Sequence, residues 1–153
     1  MLLFYGKATA TGHNENWNKV LPHGYISGET IGNLMVGSHL LLAAIIIIGG
    51  PLQIIPKVRE YAPTFHRWNG RLYILTAFII SLSGLYIVWI RGSIGGMIQH
   101  ISISINAFLI MIAAVFTIKY AMIRKFKNHR IWAIRLFLVV NGVWFFRVGL
   151  YFW

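Results

Sequence analysis

Residues 34–55 read LMVGSHLLLAAIIIIGGPLQII, and the fold follows from what they lack. The stretch holds no Asp, Glu, Lys or Arg, and as a helix rising ~1.5 Å per residue it reaches across a hydrocarbon core of ~30 Å. Its AAIIII at 43–48 is apolar on every face. That excludes the one-sided stripe of a soluble surface helix and the period-2 alternation of a membrane barrel strand. Lipid offers no partner for loose backbone groups, so such a segment must close its own hydrogen bonds as a helix.

Three further segments, 72–90, 97–118 and 131–153, are also long enough to cross, the last with Arg135 and Arg147 inside it. The 153 residues are 58% hydrophobic and 11% charged, with a mean hydropathy of +0.67, far from the balance of a soluble domain. The sequence predicts an all-α integral membrane bundle of four transmembrane helices in up-down order, at about 34–55, 67–91, 97–120 and 129–153. These form one domain over 31–153, after an outer-side segment over 1–30. Within it, residues 8–30 carry Gly and Pro breaks and no apolar period, so they read as a loop with at most one short turn. MLLFYGK at the start and GLYFW near the end read as parts of membrane helices, so the chain is expected to be a piece of a longer one.

The net charge of +11 raises the question of nucleic acid, and the placement of the cations answers it. Lys57, Arg59, Arg67 and Arg71 flank one loop, and Lys119, Arg124, Lys125, Lys127, Arg130 and Arg135 flank another. Only Lys7, Lys19, Arg91 and Arg147 remain for the opposite side. The charge sits where the positive-inside bias puts it, so both basic loops are expected to be cytoplasmic and no nucleic-acid partner is implied. There is no cysteine, which removes disulfides, thiolate clusters and cysteine nucleophiles together. Glu60 is the one acid near a membrane segment, no Ser-His-Asp set can be assembled, and no catalytic residue is assigned.

The two greasiest halves open alike, with HRWNGRLY at 66–73 and HRIWAIRL at 129–136. His39 precedes His66 as His100 precedes His129, so the chain reads as one helical hairpin used twice. Up-down topology then places His39 and His100 together in the outer half and His66 and His129 together at the inner edge. At 100° per residue, His66, Gly70, Tyr73, Ala77, Gly84 and Arg91 share one line on the second helix, and its small residues form a narrow groove. His129, Leu136, Val140, Val143 and Arg147 share a line on the fourth helix, and His39 and Gln53 share one on the first.

Two imidazoles at one depth, a small-residue groove and nearby cations are what a bis-histidine haem b requires. The expected iron ligands are His66 with His129 and His39 with His100. Arg67, Arg71, Arg130 and Arg135 would take the inner propionates, and Arg91 and Arg147 the outer ones. The same residues admit a plainer reading. A His-Arg pair and Trp at a helix start anchor it to lipid phosphates, a Gly/Ala line is a packing seam, and Gln99, Ser102 and Asn106 can bind a quinone head group or a neighbouring helix.

SHLLLAAIIIIGGPLQIIPKVREYAPTFHRWNGRLY at 38–73, the Gly pair at 95–96 and NHRIWAIR at 128–135 resemble a bacterial family of predicted membrane proteins, domain of unknown function 2306. The resemblance covers residues 38–153 and implies a multi-helix fold in the bacterial inner membrane, with members extending past this chain at both ends. It brings no activity. His39, His66, Arg67, Gly70, Arg71, His129, Arg130, Arg135 and Arg147 sit where that pattern places such residues; His100 has no match in it. The His-Arg-x-x-Gly element is also similar to one in b561-type diheme cytochromes. The functional expectation is a membrane electron carrier with one or two b haems; the alternative is a non-redox subunit that binds lipid or quinone within a larger membrane complex.

Overall fold

A computed structural model describes residues 7–8, 10–19, 23–92 and 96–151, the side chains of residues 19 and 143–151 excepted. Every regular element among them is helical. A 3-10 turn over Asn14–Lys19 precedes α1 (Thr30–Ile54), α2 (Pro56–Tyr61), α3 (Pro63–Tyr86, continued by a π turn over Ile87–Arg91), α4 (Gly96–Met122) and α5 (Phe126–Tyr151).

Proline sets two of the boundaries. Ile55 and Ala62 each precede a proline and adopt ψ of 117° and 61°, because the following ring crowds the α region. Pro56 and Pro63 then occupy first helical turns, where a missing N–H costs nothing. The expected link over 56–65 is therefore mostly helical, and α3 begins four residues ahead of the expected 67.

Among the described residues three helices are long and apolar enough to cross a membrane: Thr30–Ile54, Pro63–Arg91 and Gly96–Met122, of 25, 29 and 27 residues. The expected count of four is not reached on this measure. α5 is as long, at 26 residues, but its described part includes Lys127, His129, Arg130 and Arg135, which dilute its apolar character.

α1 packs along α3, α3 along α4, and α4 most extensively along α5, while a smaller contact between α1 and α5 closes the ring. The core lies where α3, α4 and α5 meet, with Ile46 of α1 completing it: Tyr73, Ala77, Ile110, Ala113, Ala114 and Leu136 are buried together. Large apolar side chains such as Leu41, Ile48, Leu75, Ile98 and Phe108 point outward and stay exposed, the inverse of a soluble bundle. Hydroxyls inside the helices bond their own backbone: Ser81 Oγ donates to Ala77 O at 2.8 Å and Thr117 Oγ1 to Ala113 O at 2.7 Å. That satisfies the hydroxyl where no water is at hand.

The seam between α1 and α3 explains GGPLQ and HRWNG. Gln53 of α1 donates to the His66 carbonyl at 3.0 Å, and Asn69 of α3 donates to the Gly49 carbonyl at 3.0 Å. Each amide rests on the other helix's glycine. A β-carbon at Gly49 would lie 3.1 Å from Asn69 Oδ1, and one at Gly70 would lie 3.2 Å from Gln53 Oε1. Replacing either amide with leucine is expected to cost about 0.6 kcal/mol, the usual value of an interhelical hydrogen bond in a membrane. The double change should cost close to the sum, since the bonds share no atom; reversible unfolding in mixed micelles measures both.

Part of the amino-terminal segment packs against α1. Trp17 is 5% exposed and buried with Ala8 and Val36, and a β-carbon at Gly37 would lie 3.3 Å from its ring.

Candidate functional site

At the basic end, His66 and His129 lie near one another. Each opens its helix on a backbone bond to the preceding turn, His66 N to Ala62 O and His129 N to Lys125 O, both at 2.9 Å. The His66 ring lies within electrostatic range of His129 and of Arg59. His129 Nδ1 is 2.9 Å from the carbonyl oxygen of Thr117 on α4. A carbonyl only accepts, so Nδ1 carries the hydrogen and the neutral ring keeps its lone pair on Nε2. His66 Nδ1 is buried with no partner. The two histidines expected as an inner pair thus lie at the same end of the bundle, within electrostatic range of each other.

The four guanidinium groups assigned to that pair are all exposed, and three have local partners. Arg71 lies 5.2 Å from the centre of the Trp68 ring and Arg135 lies 4.8 Å from that of Trp132. Arg67 Nη2 donates to Thr64 Oγ1 at 3.4 Å. The two cation–π pairs repeat one i, i+3 device in both halves and put an aromatic ring and a cation together at the membrane edge. Trp132 also stacks on Phe116, with centroids 4.5 Å apart.

Above the pair the space is filled. Tyr73 is 4% exposed; its ring packs against Gly50 and is joined there by Phe137. The Tyr73 hydroxyl lies beside Asn141 but finds no hydrogen bond of good geometry. Asn141 itself donates to Phe137 O at 2.8 Å.

The expected outer pair is not brought together. His39 Nδ1 is 3.0 Å from Ser83 Oγ, and Ser83 directs its own hydrogen at Ile80 O, 3.1 Å away. His100 instead lies edge-on to Trp89, centroids 5.5 Å apart, and Trp89 Nε1 donates to Ser104 Oγ at 3.0 Å. Ser83 and Trp89 stand six residues apart on α3, a height difference of ~9 Å. α1 and α4 make no substantial contact with each other, so α3 separates the two rings.

Arg91 is likewise committed. Its Nη1 donates to the carbonyls of His23 and Gly24 at 2.7 and 2.9 Å, and its Nη2 to Glu29 Oε2 and Asn33 Oδ1 at 3.1 and 2.9 Å. It holds the loop before α1 and is not open to a propionate. The Arg147 side chain lies outside the described residues.

Two imidazoles at the basic end are donors that an iron accepts, but the groove expected to hold a haem ring is filled. The line of Gly70, Ala77 and Gly84 is occupied by α1: Gln53 fills the space at Gly70, and His39 Cε1 would lie 3.4 Å from a β-carbon at Gly84. It is a packing seam. Among the described residues no three His, Cys, Asp or Glu converge as metal ligands.

The residues that sequence reasoning passed over are Asn33, Asn69 and Asn141. The available signal was an amide placed inside or against an apolar span, where a polar group needs a named partner.

No curated protein and no solved structure matches the chain. A family model described as "Predicted membrane protein (DUF2306)" matches residues 36–153, which include the paired amides of α1 and α3 and the two histidines of the basic end, and the chain belongs to that family of integral membrane proteins.

Proposed function

We propose that this protein is a non-redox membrane subunit whose basic end binds the head group of a quinone between His66 and His129. α5 serves as a fourth crossing, the basic loops face the cytoplasm of a bacterial inner membrane, and the bundle packs within a larger membrane complex. The observation that carries the reading is the buried His66 Nδ1, which has no partner beside a second imidazole. Buried polar atoms almost always have partners, and one left open at a membrane edge marks a place for a ligand atom. A quinone carbonyl accepts a hydrogen bond from an imidazole N–H, and Trp132, one turn after His129 on α5, offers flat apolar surface for its ring.

A second reading, a single b haem on the same two histidines in a membrane electron carrier, draws support from one feature. The His129 Nδ1 bond to the Thr117 carbonyl fixes the ring so that Nε2 is left to turn toward a metal. Bound there, haem would supply one-electron transfer; the chain's own part would be ligation by the two rings and neutralisation of carboxylates by Arg67, Arg71, Arg130 and Arg135. The filled seam above the pair weighs against it.

One preparation separates the two. Protein extracted gently from its native membrane is expected to show no b-type Soret or α-band in a reduced-minus-oxidised spectrum, and to release quinone into organic solvent. His66→Ala should lower that quinone at least tenfold. Bands that vanish in both His66→Ala and His129→Ala would establish the haem reading instead. Neither bands nor quinone would remove both.

A further inference from the structure

A separate feature at the basic end does not involve the histidines. On the outward face of α4, Val115, Ile118, Lys119 and Met122 stand at positions i, i+3, i+4 and i+7, and with Ile123 they line an open groove of about 390 Å³. Apart from Lys119 the lining is entirely aliphatic or thioether. Lys119 stands at its mouth, with Nζ 5.9 Å from the centre of the Phe116 ring.

The chain then turns sharply. Ile123 N bonds Lys119 O, Arg124 N bonds Ala121 O, and Lys125 N bonds Tyr120 O, at 3.1, 3.2 and 3.0 Å. Arg124 carries the turn with φ of 56°. This left-handed position at a helix end belongs by preference to glycine, because a β-carbon there crowds the backbone. The sequence nevertheless places an exposed arginine at it, flanked by Lys125 and then Lys127. A strained turn has been given a cation, and four cations, Lys119, Arg124, Lys125 and Lys127, lie close in the chain at the groove's end of α4.

We propose that this end of α4 is a binding site for an acidic phospholipid. The groove takes an acyl chain, Lys119 and Arg124 take the phosphate, and Lys125 and Lys127 add to the attraction. Charge complementarity selects this occupant over neutral lipid: an aliphatic groove accepts any acyl chain, whereas a cationic mouth discriminates by head group. Each basic residue near a membrane surface contributes roughly a fivefold preference for acidic lipid.

The test is native mass spectrometry of the full chain in detergent, titrated with phosphatidylglycerol and with phosphatidylcholine. The wild type should retain phosphatidylglycerol preferentially. Lys119→Gln should lower that preference about fivefold, while Lys57→Gln, in the other basic link, should leave it unchanged. Arg124→Gly should lower the preference to a similar degree yet leave the melting temperature in neutral lipid unchanged or raised, because the turn is relieved. Equal retention of the two lipids overturns the proposal. So does an equal effect of Lys57→Gln, which would show diffuse attraction, or a lowered melting temperature in Arg124→Gly, which would show a structural role. Displacement of the lipid by inorganic phosphate alone would also overturn it, since the groove would then contribute nothing.

Discussion

Arg91→Met is expected to release the loop at 23–33 and to destabilise the protein by roughly 2–4 kcal/mol, the range for stranding several buried polar groups at once. The Arg91 side chain is only 2% exposed, and methionine replaces its stem without its donors. The loss would fall on the carbonyls of His23 and Gly24 and on Asn33 Oδ1, which bond the guanidinium. Glu29 matters less, because its side chain is 52% exposed and an ion pair so open to water contributes little; Glu29→Gln should cost under about 1 kcal/mol. Gly32 offers a second handle on the same contact. A β-carbon there would collide with Arg91 Nη2, so Gly32→Ala should loosen the same loop by about half as much, the guanidinium being able to shift. Hydrogen exchange gives the readout. Protection should fall across 23–33 in both variants while α4 stays as in the wild type, and unchanged protection in Arg91→Met would show that the loop is held by something else.

Such a clamp is hard to read from sequence, and the reason is physical. Hydropathy reports what a segment avoids, so the greasy stretches suffice to predict helices, their order and the first helix end near 55, but not the boundary at Ala62, expected near 67. Partners depend on which atoms meet across tens of residues. Arg91 to Glu29 and Arg91 to Asn33 join positions about sixty residues apart, and nothing local to either end announces the other. The π turn over Ile87–Arg91 also changes the angular step just before Arg91. A count at 100° per residue puts Arg91 in line with His66 and Gly84, on the groove, whereas the structure turns it into the loop.

The histidines show both the reach and the limit of a depth argument. His66 and His129 are each the fourth residue of their helix, after Pro63 and Phe126. Two antiparallel hairpins then bring them level with little room for error, and the structure has them within electrostatic range of each other. His39 and His100 lie at different distances inside helices of unequal length, so a residue count from the inner ends accumulates error. Faces fail sooner than depths do: His39 reaches Ser83 across the α1–α3 seam, while His100 meets Trp89 on the α4 side. The small-residue line on α3 was legible as a groove, but sequence alone could not say whether a cofactor or a neighbouring helix fills it. Gln53 in the GGPLQ stretch is what decides, because its amide needs a carbonyl and the nearest is that of His66.

The same seam yields the second large effect, at Gly50. A β-carbon there would stand 2.9 and 3.0 Å from Phe137 Cδ2 and Cε2 and 3.1 Å from Tyr73 Cε2, closer than non-bonded carbons sit. Gly50 is where α1 meets α5, the slimmest contact of the ring, and two aromatic rings pinned in the core leave no direction in which to yield. Gly50→Ala gains about 0.5–1 kcal/mol of helix propensity and loses about 1–3 kcal/mol to overpacking, so a modest net loss is expected. Gly50→Val adds two methyl groups to the same collision and should cost roughly 2–3 kcal/mol. Phe137→Leu removes the nearer ring, so the pair Gly50→Ala with Phe137→Leu should be less destabilising than the sum of its parts, with a coupling of about 1 kcal/mol. Reversible unfolding in mixed micelles measures all four terms. Strict additivity would mean that α1 and α5 close around Gly50 more loosely than these distances require, and the wall over the His66–His129 space would then be soft enough to admit a larger ligand than a quinone ring.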